Sequence, residues 1–228
     1  MSANIKKYYV EFVGAHGSGK TFTYHAITKQ NLMAPHNALY PGQVQRPTLH
    51  FALRWPIVAI KNIRHIIFVF GFFLRYAKVR HINFKVLRSL VKMVILHPYY
   101  YSYDFDVFLK DDMLHMLQRI IFKSKVKIED AFREYLMHFM YLYDGIIFVD
   151  IEPEVMWGRF EKRFPGKSHT FKKKRAVIHE RAWRQSQILR RVIISQTAVP
   201  YLVLEGCDNV QKNANKVVLF VNQKIIAA

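Results

Sequence analysis

Eight residues near the start of the chain have the types and the spacing needed to bind a chain of phosphates. Residues 14–21 read Gly-Ala-His-Gly-Ser-Gly-Lys-Thr and match the pattern G-x-x-x-x-G-K-[ST] at every required position. Glycines let the backbone curl around a phosphate with its N–H groups pointing inward. In this pattern Lys20 places its ammonium group on the β- and γ-phosphates, and the Thr21 hydroxyl holds Mg²⁺. The run therefore predicts a site for ATP and Mg²⁺.

The flanking sequence supplies the strand and the helix between which such a loop must lie. Tyr8 to Val13 is a β-branched and aromatic run, typical of a strand, and residues 21–30 suit a helix because they contain no glycine or proline. A helix that begins near Gly19 adds its positive N-terminal dipole. The alternative is a glycine-rich turn that binds nothing. The expected nucleotide-binding residues are Gly14, Ala15, His16, Gly17, Ser18, Gly19, Lys20 and Thr21.

Strand and helix patterns alternate along the chain, which favours an α/β fold with a parallel sheet flanked by helices. Besides the first strand, we expect a short strand near Leu39 and longer ones at 104–109, 145–149 and 201–204. Further helices are predicted at 113–122, 129–141, 153–163, 174–195 and 210–223. No repeat or low-complexity linker interrupts the chain, so we expect a single domain over residues 1–228.

Two aspartates follow the strand predicted at 104–109, where the chain reads Lys110-Asp111-Asp112. Ligands of open parallel sheets bind beyond the carboxyl ends of the strands, so this segment should lie near the phosphate loop. Phosphoryl transfer needs a carboxylate there to bind Mg²⁺ or to accept a proton. Asp111 is the expected base or metal ligand, with Asp112 as the second candidate. The alternative is that one of the two only caps the following helix.

Two arginines four residues apart share one face of the helix predicted at 153–163. The side chains of Arg159 and Arg163 would bind the transferring phosphoryl group, where negative charge develops in the transition state. They begin a lid region, about 159–175, that would exclude water. Its basic run 172–175 is alternatively a solvated charged surface. Residues 205–208, which follow the last strand, either lie beside the adenine ring or form an ordinary turn.

The charge of the chain is strongly one-sided. Lysine and arginine number 35 against 16 aspartates and glutamates, a net charge of +19, and no acidic residue lies between Glu11 and Asp104. Such a surface seeks anions, whether nucleotide phosphates, acidic lipids or nucleic acid. The basic and apolar stretch 51–103 is expected to be a helical insertion. It either packs on the sheet or lies on an anionic membrane face.

The cysteine content indicates the cellular compartment. Cys207 is the only cysteine, so no disulfide can form within the chain, which fits a reducing cytosol. The N-terminal residues lack the apolar stretch of a secretory signal. We expect a cytoplasmic protein, either free or peripheral at the inner face of the membrane. Whether it forms a homodimer stays open.

Together these pieces resemble the P-loop group of nucleoside and nucleotide monophosphate kinases, most closely the thymidylate kinases and the deoxynucleoside kinases. The matching segments are residues 14–21, Lys110-Asp111-Asp112, residues 147–155, Arg159 and Arg163. The resemblance implies a P-loop NTPase fold with a five-stranded parallel sheet, ATP with Mg²⁺, and phosphoryl transfer to a small acceptor. It also implies that Lys20 binds the phosphates, Thr21 the metal, Asp111 the proton or the metal, and that the two arginines belong to the lid.

The leading hypothesis is an ATP- and Mg²⁺-dependent kinase whose acceptor is a nucleotide, a sugar or a lipid-linked glycan. One alternative is a regulatory or nucleic-acid-associated ATPase. The net charge favours it, while the apolar and aromatic character of the basic region disfavours it. The other alternative is a peripheral membrane module whose nucleotide site is vestigial.

Overall fold

Five parallel strands form one sheet, with the strand that precedes the phosphate loop at its centre. The strands are β1 (Tyr8–Val13), β2 (Ala38–Leu39), β3 (Val107–Lys110), β4 (Gly145–Asp150) and β5 (Tyr201–Glu205), and their order across the sheet is β2-β3-β1-β4-β5. Val10 of β1 lies opposite Leu109 on one side and Gly145 on the other. Because all five strands run the same way, their carboxyl ends meet at one edge. The predicted fold, a five-stranded parallel sheet flanked by helices, is confirmed.

The computed structural model describes residues 6–15, 18–39, 56–76, 91, 94, 105–110, 114, 117, 128–163, 165 and 169–227. Its helices are α1 (Lys20–Lys29), α2 (Ile63–Tyr76), α3 (Ile128–Phe139), α4 (Pro153–Arg163), α5 (His169–Gln196) and α6 (Val210–Val221). Residues 56–61 are also helical, a 3₁₀ turn covers Met140–Leu142, and a π-helical turn covers Asn222–Ile226. Within the described ranges, none of the helices is both long enough and apolar enough to cross a bilayer.

Several boundaries differ from the sequence-based expectation: β3 covers Val107–Lys110 rather than 104–109, α3 ends at Phe139 rather than at 141, and α5 and α6 also differ. Helix α5 begins at His169 rather than near Lys174, because its basic first turns contain no glycine or proline to stop them and lysine favours a helix. Helix α6 ends at Val221, where wider π-type turns continue the chain. The helix expected at 113–122 falls outside the described residues except for Leu114 and Leu117, which are helical and buried.

Both faces of the sheet are buried, which explains why β1 and β4 are almost continuously apolar. On one face α1 and α6 cover a core that contains Val10, Phe12, Ile27, Val149 and Val217. On the other face α2, α3 and α5 cover a core that contains Val13, Phe72, Phe132, Ile146 and Leu189. Consecutive strand residues point to opposite faces, so β1, β4 and β5 each contribute to both cores.

Charged side chains interrupt the second core. Glu11 of β1 is fully buried, and its Oε1 accepts the backbone N–H of Leu114 at 2.6 Å. Lys110, also buried, places its ammonium group over the rings of Tyr9 and Tyr143, 5.3 and 5.5 Å from their centroids. Burial, and then the charge of Glu11, raise the pKa of the Tyr143 hydroxyl well above its usual value. A buried charge is costly unless it is paired or hydrogen-bonded, so these contacts tie the segment after β3 to β1.

A pair of histidines joins α2 to α3. His65 Nδ1 and His138 Nε2 share a hydrogen bond at 3.0 Å, the Tyr141 hydroxyl lies 3.0 Å from His65 Nε2, and the His138 ring stacks on Phe68. Burial, and then the charge of Arg64, lower the pKa of His65. Burial, and then the neighbouring His65, lower the pKa of His138. The contact therefore holds when both rings are neutral.

We expect the protein to lose stability as the pH falls below about 6.5, the ordinary pKa of histidine. Because both pKa values are lowered in the folded state, the unfolded state binds more protons just below that pH, so the free energy of unfolding falls with the pH. The measurement is urea unfolding between pH 7.5 and pH 5.5 for wild type, His65→Gln and His138→Gln. Each variant should be less stable at pH 7.5 but lose less on acidification. A loss equal to that of wild type would contradict the assignment.

Candidate functional site

The ammonium group of Lys20 binds the first residues of the phosphate loop. Lys20 begins α1, and its Nζ donates to the carbonyl oxygens of Gly14 at 2.8 Å and Ala15 at 3.1 Å. The Ser18 N–H donates to the Ala15 carbonyl at 3.2 Å, which closes the loop from its other end. The side chain of Lys20 is buried, although lysine is normally exposed. The loop thus holds a positive charge at the carboxyl end of the central strand.

Two glycines of this loop have conformations or neighbours that exclude a side chain. A Cβ on Gly14 would lie 2.5 Å from the carbonyl oxygen of Val149 in β4, closer than two such atoms can approach. Gly19 has φ +105°, a left-handed conformation that other residues adopt only with strain. The glycines of the motif are therefore needed for the shape of the loop even before any ligand binds.

The start of α1 fits an anion. Gly19, the residue before the first turn, offers no side chain to cap the helix, and no acidic residue lies in the first turn. Uncapped N–H groups at a helix start favour negative charge. The Ser18 hydroxyl is buried and has no hydrogen-bond partner among the described residues. Thr21 is exposed, and its Oγ1 accepts a hydrogen bond of 3.3 Å from the Tyr24 hydroxyl. These features suit the phosphate chain of a nucleotide.

The turn after β5 presses against the loop. A Cβ on Gly206 would lie 2.6 Å from the Ser18 carbonyl oxygen and 2.9 Å from that of Asp150. The Gly206 N–H donates to the Asp150 carbonyl at 2.5 Å. The sequence singled out residues 205–208 but gave no sign that Gly206 touches the loop, since that contact joins segments far apart in the chain. Its role beside an adenine ring stays a prediction.

Arg159 of α4 also contacts the turn after β5, beside the phosphate loop. Its Nη2 donates to the Gly206 carbonyl at 2.7 Å, and its Nη1 lies 3.9 Å from where a Cβ on Gly19 would stand. Arg159 is half-buried, and its guanidinium group lies beside the loop that contains Lys20. The structure therefore brings together the predicted residues Lys20, Thr21 and Arg159 at the carboxyl edge of the sheet.

Asp150 at the end of β4 is engaged by helix α5. Its Oδ1 accepts the Ile151 N–H at 3.0 Å and the Gln187 side-chain amide at 2.7 Å. Its Oδ2 pairs with Arg190 Nη1 at 3.1 Å. This carboxylate positions the end of β4, against which both Gly14 and Gly206 pack. The signal in the sequence for this role of Asp150 was weak, because an acidic residue at the end of a strand can either bind a ligand or form an ion pair within the protein.

Several predicted site residues lie outside the described part of the chain. They are His16 and Gly17 of the loop and the aspartates Asp111 and Asp112. Their neighbours are described: Lys110 and Leu114 are both buried, and Leu114 is bound to Glu11. Arg163 is the last residue of α4, but its side chain, like those of residues 169–175, is not described. The lid and the carboxylate roles therefore stay predictions.

Comparisons with known proteins give structural neighbours only. No family model and no curated protein matches the chain. Deoxyadenosine kinase from M. mycoides with bound dCTP aligns at 12% identity and a TM-score of 0.48, over 94% of this chain and 98% of that one. The same enzyme with bound dATP aligns at 13% identity and a TM-score of 0.49, over 94% and 100%. At such identities the likeness does not transfer a substrate.

We expect Gly206→Ala to destabilise the protein by about 1–3 kcal/mol, because the added methyl group meets two backbone oxygens that cannot swing away. The matched control is Gly158→Ala in α4, where a Cβ meets nothing within 4 Å and alanine favours the helix. Thermal unfolding of both variants checks this. A Gly206→Ala protein as stable as the Gly158→Ala protein would show that the turn does not press on the loop.

Proposed function

We propose that this protein is an ATP- and Mg²⁺-dependent phosphotransferase that acts on a small acceptor. The observation that carries the proposal is the buried Lys20 side chain, whose ammonium group binds the Gly14 and Ala15 carbonyls at the end of the central strand. A helix start without a side-chain cap and the Arg159 guanidinium group lie beside it. These are the groups that phosphoryl transfer requires, because its protein catalysis is mainly positioning and charge stabilisation.

Each group then has a defined role toward the nucleotide. Lys20 and the loop N–H groups bind the phosphates, with phosphate oxygens competing for the ammonium protons now given to Gly14 and Ala15. The Thr21 hydroxyl, together with Asp111 or Asp112, would hold Mg²⁺, which neutralises phosphate charge when bound.

The chemical step exchanges one P–O bond for another. The acceptor hydroxyl oxygen bonds to the γ-phosphorus, and the bond from that phosphorus to the bridging β,γ-oxygen breaks, leaving ADP. Asp111 is the proposed base that receives the hydroxyl proton. Arg159 stabilises the negative charge on the transferring group, since its guanidinium fork can bind two oxygens at once.

The acceptor class is left as a nucleotide, a sugar or a lipid-linked glycan. The net charge of +19 favours an acceptor that is anionic or held at an anionic surface. The same charge favours the second candidate, a nucleic-acid-associated ATPase. Retention on DNA or RNA at about 50 mM salt, lost on raising the salt, would support that candidate.

Lys20→Ala should lower both ATP affinity and phosphate transfer, the latter by about 10²-fold or more, because no other described side chain replaces the buried ammonium group. Calorimetry with Mg²⁺ and ATP, and transfer from γ-labelled ATP to nucleotide, sugar and membrane-lipid pools, measure the two effects. Lys29→Ala, an exposed lysine at the end of the same helix, is the control. If no pool yields a Lys20-dependent product, the phosphotransferase proposal fails.

Arg159→Lys should lower kcat by about 10²-fold with a smaller change in the KM for ATP, because lysine keeps the charge but loses the fork. Arg191→Lys, on the exposed side of α5, is the matched control and should be neutral. Circular dichroism of both variants checks that each remains folded when the Arg159 contact with Gly206 is altered. An unchanged kcat for Arg159→Lys would restrict this arginine to a structural role.

A further inference from the structure

The helical segment 56–76 presents a row of large apolar side chains to the outside. They follow a spacing of three and four residues, which places them along one side of a helix. The row, hereafter the exposed stripe, consists of Ile60 (70% exposed), Ile63 (52%), Ile67 (63%), Phe70 (45%) and Leu74 (66%). At 1.5 Å per residue a helical row of this length extends about 20 Å. Single exposed apolar residues are ordinary, but a continuous row marks an interaction surface.

The opposite side of α2 is anchored in the protein. Val69, Phe72, Phe73 and Tyr76 are buried in the core beneath α3 and the sheet. Arg75 and Tyr76 both bind the carboxylate of Glu134 in α3, at 2.6 and 2.5 Å. The stripe therefore lies on the side of the helix opposite its buried residues, so a rotation that buried the stripe would expose that core side.

The charged side chains of segment 56–76 itself are all positive, and one of them, Arg75, is paired with Glu134 of α3. Lys61, Arg64 and Arg75 are exposed on the same segment, and the sequence between Glu11 and Asp104 contains no acid. The spacing of the stripe would also suit the matching helix of a second copy. Two copies would, however, bring together surfaces of the same sign from chains of charge +19 each. An anionic surface with an apolar interior complements both the row and its charged flanks.

We propose that the exposed stripe docks the protein onto an anionic lipid bilayer, with α2 lying in the plane of the interface. The isoleucines, Phe70 and Leu74 would enter the boundary between headgroups and acyl chains, while Lys61 and Arg64 bind lipid phosphates. The docking does not depend on the phosphotransferase activity. If both hold, the site works on an acceptor held at the same surface.

Flotation of the full-length protein with lipid vesicles tests the proposal. Wild type is expected to float with vesicles of phosphatidylcholine and phosphatidylglycerol at 7:3 and to remain unbound with pure phosphatidylcholine. Ile60→Ser/Ile67→Ser should reduce partitioning at least about tenfold, since two large apolar side chains are lost from the buried side. The control is Leu219→Ser on α6, equally apolar and 57% exposed but on the opposite face of the sheet.

Two further variants separate the contribution of the basic side chains to membrane binding from that of the nucleotide site. Lys61→Gln/Arg64→Gln should lower binding to the anionic vesicles by roughly tenfold, because each basic residue near such a surface adds to the attraction. Lys20→Ala should float like wild type, so a failure of the phosphotransferase proposal leaves this test intact. Thermal unfolding verifies that every variant is folded.

Three results would overturn the docking proposal. Equal flotation of wild type and Ile60→Ser/Ile67→Ser would assign binding to general positive charge rather than to the stripe. Absence of flotation with a monomer in sedimentation velocity would leave the stripe without a lipid partner. Absence of flotation together with a dimer that Ile60→Ser/Ile67→Ser abolishes would assign the stripe to a second copy of the chain.

Discussion

The close approach of three backbone segments is the constraint on which this site depends. The phosphate loop, the end of β4 and the turn after β5 meet where a Cβ on Gly14 would lie 2.5 Å from Val149 and one on Gly206 2.6 Å from Ser18. Only glycine permits such contacts, because any larger residue would push one segment away. Within this arrangement the Gly14 and Ala15 carbonyl oxygens accept hydrogen bonds from the Lys20 ammonium group, and the Gly206 carbonyl accepts one from Arg159. The close approach of these segments therefore determines both the shape of the site and the positions of the Lys20 and Arg159 side chains.

Three of the acidic residues position elements of the structure. Glu11 binds the N–H of Leu114, Asp150 joins β4 to α5, and Glu134 joins α3 to α2. Each of these carboxylates is buried or half-buried among donors, where a hydrogen bond is worth more than it is in water. The excess positive charge is consequently left on surfaces, where it attracts anions over distances of about a Debye length. The same excess of positive charge would favour both phosphate binding in the loop and lipid binding at α2.

Helix α2 shows how one element serves two purposes. Its inner side contributes aromatic side chains to the core, and its outer side carries the exposed stripe. The histidine contact with α3 lies between them and depends on neutral rings. The Glu134 contacts with Arg75 and Tyr76 hold the other end of the helix.

The sequence alone was sufficient for the phosphate loop, β1 and the extent of α4, because each follows from local rules. Glycine freedom, β-branched runs and a proline in the first helical turn act within a few residues. The sequence was not sufficient to predict the partners of Gly206, Glu11 or Asp150. These partners lie many residues away, and contacts between distant residues produce no periodic pattern in the sequence. Nor could it decide which of the apolar residues in 56–76 are core and which form the stripe, because periodicity gives a helix two sides without saying what covers them. Only the packing of α2 against α3 and the sheet decided that, and it did so by burying one side and leaving the other in water.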